Sequence, residues 1–199
     1  MGFTEQQDPE WRECRVELPT PGNWIVLDLS AAEPEPWARS VSSQHLAASS
    51  PQELLDGFAK DLLWYWTVAV RQQALCAALL APPNESVIAS YSVRELKVPP
   101  EALRLDILRA EAEAAVGPYF GSPRVSEAEL PVGPALRVNR LEPSDPESSS
   151  GTVVEGVCHY VLPRRASVAL ECRLLWTALG LGEELGKVAD ELAASLRLV

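Results

Sequence analysis

A chain of 199 residues, 47% hydrophobic and 23% charged, is long and apolar enough for one well-filled domain, which excludes a disordered polypeptide. With 28 acidic against 17 basic residues its formal net charge is −11, and such a surface repels phosphate backbones and anionic lipid. Nucleic acid and bare membrane are therefore not expected as partners, and no apolar run approaches the ~20 residues of a bilayer span.

In chain order, residues 1–13 are polar, with Trp11 as their one anchor, and are expected to be loose. They show neither a basic n-region nor an apolar h-region, so the cytoplasm is the expected compartment. Residues 14–18 and 24–29 alternate weakly across a Pro19-Thr20-Pro21-Gly22-Asn23 turn and predict an opening hairpin. Residues 31–50, rich in Ala, Ser, Pro and Glu, read as a connector with one helical turn near Trp37. Ser50-Pro51-Gln52-Glu53 then signals a helix start. The helix should run to residue 73, with Leu54, Leu55, Phe58, Leu62, Tyr65, Trp66 and Ala69 in one core-facing arc. Trp64 falls outside that arc. An indole there either lies under a covering segment or forms part of a binding surface, and covering by residues 31–50 is the expectation.

Two strands, 74–80 and 86–98, follow around Pro82-Pro83-Asn84, and an alanine-rich helix is predicted over 101–116. Residues 125–130 and 135–141 make a further hairpin around Pro131-Val132-Gly133-Pro134. Residues 142–151 carry no aliphatic or aromatic side chain and read as a loose loop. After a Gly180-Leu181-Gly182 turn, Leu185, Val188, Ala189, Leu192 and Leu196 stripe a closing helix over 183–198. The order is β-β-α-β-β-α-β-β-β-β-α. Short turns join the strand pairs, so the fold class is α+β: one domain over 1–199, an antiparallel sheet of hairpins with helices on one face or the flanks.

The centre of that sheet should be the hairpin over 152–179. Val154, Cys158, Tyr160 and Leu162 share one parity of its first arm. Leu170, Cys172, Leu174 and Trp176 share one parity of the second. A turn centred on Arg165 sets Cys158 opposite Cys172 on the buried face, as reduced thiols or, alternatively, a disulfide. The same register sets His159 opposite Glu171, near Glu155 and Arg173. It leaves Val153, Val157 and Val161 on a second face with Ala169, Arg173 and Leu175.

Little catalytic chemistry is spelled out. The four cysteines form no C-x-x-C pair and the chain has only His45 and His159, so no compact zinc site follows from spacing. Nucleotide, hydrolase and calcium-loop motifs are absent, and neither a metal nor another cofactor is implied. His159 with Glu171 is the one candidate acid–base pair, and a cross-strand polar contact on a solvated face is the expected account of it.

The element order, with Pro21-Gly22-Asn23-Trp24 opening a strand, the Leu130-Pro131-Val132-Gly133 turn and a terminal helix over 189–198, resembles the PsbP-like superfamily. That superfamily includes a Ran-nucleotide-release factor and bacterial lipoproteins of the LpqN and DcrB kinds. The resemblance implies a non-enzymatic binding scaffold, some relatives acting as chaperones that shield amphipathic helices of secreted effectors. The leading expectation is therefore a cytoplasmic adaptor for a protein partner, in its finer form a chaperone for a secreted or toxin-like protein. Trp64, Val157, His159, Glu171 and Arg173 are its candidate contact residues. An immunity protein blocking a toxin through an acidic face, and an enzyme centred on His159 and Glu171, are the alternatives.

Overall fold

The computed structural model describes residues 13–114, 120–143, 152–164 and 168–199. The first half runs β1 (Cys14–Arg15), β2 (Trp24–Val26), α1 (Pro34–His45), α2 (Gln52–Arg71), β3 (Ala74–Leu80), β4 (Ala89–Leu96) and α3 (Leu105–Ala114). The second half runs β5 (Arg124–Leu130), β6 (Gly133–Pro143), β7 (Val153–Val161), β8 (Ala169–Trp176), α4 (Gly182–Ser195) and β9 (Arg197–Leu198). Seven strands form one sheet in the order β2-β3-β4-β8-β7-β6-β5, every pairing antiparallel. The class is α+β, and the 152–179 hairpin lies at the middle of the sheet. Of the loop expected over 142–151, residues 142 and 143 end β6, and 144–151 lie outside the described residues, as do residues 1–12 of the N-terminus expected to be loose and the turn residues 165–167.

Helices cover both faces. On one, Leu185, Ala189 and Leu192 of α4, with Leu196 just past its end, pack on Tyr91, Val93, Val157, Val161, Leu170, Cys172, Leu174 and Trp176. On the other, α1 and α2 close over β3 through Ala38, Phe58, Ala59, Leu62, Ala77 and Leu79. At the far end of that second face, α3 packs Leu108 on Leu136 and Val138 of β6. A strip of β4, β8 and β7 lies between α2 and α3. Helices on one face or the flanks had been the expectation. The second layer exists because β3 is apolar on both parities and Leu136 and Val138 of β6 face away from α4, so both sides need cover.

The central register differs from expectation by one residue. Val161 pairs with Leu170, His159 with Cys172, Cys158 with Arg173 and Tyr160 with Glu171. Because side chains alternate with period two, that step turns the whole first arm over. Cys158 and Cys172 are both buried but on opposite faces, so they are not neighbours in one core and the disulfide alternative falls away. Val157 is 0% exposed beneath α4, and its place on an open contact face is overturned.

Three smaller expectations also change. β1 pairs with β9, not β2, so the two ends of the described chain meet in their own two-stranded sheet. Residues 34–45 form a full helix rather than a connector with one turn. Its contact with α2 uses Ala38 and Ser42, whose Oγ donates to the Leu55 carbonyl at 2.8 Å, so it shows no aliphatic stripe. Leu54, expected in the α2 core arc, is exposed.

Candidate functional site

The strip between α2 and α3 is a groove of ≈ 570 Å³. Its floor is the parity of β4, β8, β7 and β6 that faces away from α4: Arg94, Glu171, Arg173, Leu175, Tyr160, Arg140 and Glu142. Trp64, Tyr65 and Val68 of α2 make its wall. A smaller recess of ≈ 80 Å³ shares Trp64, Tyr65, Val68 and Leu175 with the groove and is lined also by Leu27, Ala69 and Leu79.

Trp64 is 59% exposed, with its neighbour Tyr65 set edge-on at 4.8 Å between ring centroids. The covering segment expected over it is not there. α1 packs further along α2, where His45 stacks on Phe58 at 4.8 Å. The indole that is tied down is Trp66, whose Nε1 donates to the Asp28 carbonyl at 2.8 Å.

The floor is an ionic network built by register. Arg94 and Glu171 are direct cross-strand partners, and their side chains pair. Glu171 is 3% exposed and also accepts from the Cys158 thiol at 3.6 Å. Arg173 pairs with Glu142, whose other oxygen lies 3.6 Å from Arg140 Nε. Arg140 Nη2 in turn donates to Tyr160 Oη at 2.9 Å. Burial pushes the Tyr160 phenol and the Cys158 thiol up, so both are neutral donors. Among the described residues, three arginines and two glutamates line this floor.

Of the five residues anticipated from sequence, Trp64, Glu171 and Arg173 meet in this groove. Val157 and His159 do not, because the register step sends them to the α4 side. His159 is 2% exposed, and its Nε2 lies 3.0 Å from Asp190 Oδ1. Arg137, directly across from His159 on β6, donates from Nε to the same oxygen at 2.7 Å. His159 and Glu171 thus point to opposite faces, and an enzyme centred on that pair is overturned. Arg94, Arg140, Glu142 and Tyr160 belong to the groove without any motif in the sequence that marks them. Only the strand order brings Arg94 of β4 beside Glu171.

The His159–Asp190 contact is structural and has a testable acid signature. Partial burial acts to raise the Asp190 carboxyl. The hydrogen bonds from His159 and Arg137, with the charge of Arg137, outweigh this and hold it below the usual carboxylate value. A folded-state pKa below the unfolded one means stabilisation that is present above the unfolded carboxylate pKa. It is lost as pH falls through the lowered folded value. Asp190→Ala should cost about 1 kcal/mol at pH 7, near the low end for an unpaired buried group because Asp190 is half exposed. Urea melts should show the gap between variant and wild type closing in acid. A gap that stays constant down to pH 2 would remove Asp190 from this role.

The chain matches no family model and no curated protein. Among solved structures it is similar to LpqN of Mycobacterium tuberculosis, described as involved in cell envelope biogenesis. The TM-score is 0.44 and the identity 14%, over 98% of this chain and 87% of that one. The likeness is a weak one of fold and transfers no site residue.

Proposed function

We propose that the protein is a non-enzymatic binding protein whose groove between α2 and α3 holds an amphipathic, acidic segment of a protein partner. The observation that carries the reading is Trp64: a large aromatic side chain, mostly exposed, on the wall of a groove whose floor is lined by arginines. Interface anchors are enriched in Trp, Tyr and Arg, and all three line this strip. An apolar side chain of the partner fits against Tyr65, Val68 and Leu175. Its carboxylates are drawn to the arginine-rich floor. In its finer form the reading is a cytoplasmic chaperone that shields such a segment of a secreted or toxin-like protein, and membership of the PsbP-like superfamily belongs to the same proposal. An immunity protein acting through an acidic face gains no support from this groove.

Two labelled synthetic peptides of about 15 residues test it, sharing one leucine face and carrying glutamate or lysine elsewhere. The glutamate peptide should bind, and Trp64→Ala should weaken it by about 30-fold, as hot-spot aromatics do, with an unchanged thermal melt. Equal affinity of wild type and Trp64→Ala would end the groove reading. Preference for the lysine peptide would end the charge assignment.

A further inference from the structure

The four cysteines divide into two kinds. Cys158 and Cys172 are sealed in the two cores, whereas Cys14 on β1 and Cys76 on β3 are partly exposed. Cys14 and Cys76 line one open cleft of ≈ 610 Å³, on the α4 side of the sheet, away from the groove. β1 packs against β3, which brings the two cysteines into one cluster although they are far apart in sequence. The β3–β4 ladder carries a register irregularity between Ala74 and Cys76, the kind of local distortion that re-aims a side chain. Tyr91, buried on the floor of the same cleft, has no oxygen or nitrogen partner for its hydroxyl. β1 itself is lightly held: two residues pair with β9, with Glu13 and Val199 exchanging backbone hydrogen bonds at 2.9 Å.

We propose that Cys14 and Cys76 form a thiol–disulfide exchange site, in which Cys76 attacks a small-molecule disulfide and Cys14 resolves the product. Cys76 is the attacking sulfur because its neighbour Cys14 and the Val93 backbone hold its thiol below the ordinary value against the effect of burial, while Cys14 is raised by the same neighbour. Cys172 is pushed up to about 12, chiefly by burial, and stays a thiol.

The Cys76 thiolate displaces one thiolate from the disulfide, forming a mixed disulfide at Cys76. Cys14 gives its proton to the departed thiolate and attacks Cys76 Sγ, expelling the second thiolate, which takes its proton from solvent. Two protein thiols are oxidised to one disulfide, and the external disulfide is reduced to two thiols. The product ties β1, and through it β9, covalently to the edge region of the large sheet.

The test exposes the full-length protein to oxidised glutathione, quenches in acid and maps peptides by mass spectrometry. Two of the four thiols should be lost, with one Cys14–Cys76 cross-link. Without oxidant, native-state alkylation should reach Cys76 at least about tenfold faster than Cys172. Cys14→Ser should accumulate the glutathione adduct on Cys76, and Cys76→Ser should leave residue 14 unmodified. The oxidised wild type should melt at a higher temperature than the reduced form, a difference that dithiothreitol erases. A cross-link involving Cys158 or Cys172, equal alkylation of all four thiols, or no oxidation would each overturn the proposal. Alkylation of the wild type decides the matter even where a serine variant fails to fold.

Discussion

Val157→Glu should unfold the protein. Val157 is 0% exposed at the centre of β7, packed with Leu174 and Val161 beneath α4. Losing its burial removes about 1.5–3 kcal/mol. The new carboxylate enters an apolar layer, and stranding an unpaired charge there costs several kcal/mol more. The sum rivals the 5–15 kcal/mol that holds a typical domain together. Circular dichroism and thermal melting read the outcome directly. The alternation of residues 153–161 taken alone would put Val157 on an open face, where glutamate leaves the fold intact and abolishes binding. A folded Val157→Glu protein with a wild-type melt would therefore restore that register and dismiss the present one.

Gly133→Ala should be the second most damaging change. Gly133 opens β6 after the Pro131-Val132 turn with φ +155°, and a Cβ built there would meet the Leu162 carbonyl oxygen at 2.1 Å and the Arg164 nitrogen at 3.2 Å. Both obstacles are backbone, so no rotamer change relieves them. They are also held in place: Leu162 N donates to the Pro134 carbonyl at 2.9 Å, and Arg164 N to the Val132 carbonyl at 3.0 Å. Making room breaks the contact between the β5–β6 turn and the exit of β7, at an expected cost of about 3 kcal/mol in denaturant unfolding. At Gly57 on α2, by contrast, a Cβ would meet nothing within 4 Å. Near-wild-type stability of Gly133→Ala would show that the turn moves freely away from β7.

What these two residues have in common is that local pattern identified their elements but not their surroundings. The Pro131-Val132-Gly133 turn was legible as turn chemistry, yet the need for glycine comes from a strand remote in sequence. β7 was legible as a strand, but both its parities carry apolar residues: Val153, Val157 and Val161 on one, Val154, Cys158 and Tyr160 on the other. A strand covered on both faces loses the hydrophobic contrast that would specify its orientation.

The sequence by itself determined the α+β class, the β3–β4, β5–β6 and β7–β8 hairpins, the central place of residues 152–179 and the α4 stripe, because periodicities of 2 and 3.6 are local properties. It also singled out Trp64, Glu171 and Arg173. Strand order, hairpin register and helix cover were decided only by tertiary structure. The sheet order places Arg94 across from Glu171, a pairing made by β8 returning between β4 and β7. The one-residue step sends His159 to Asp190 instead of Glu171. The meeting of β1 with β9 carries Cys14 over β3 to Cys76. Each is a contact between residues distant in the chain, and its free energy comes from packing that no window of neighbouring residues contains.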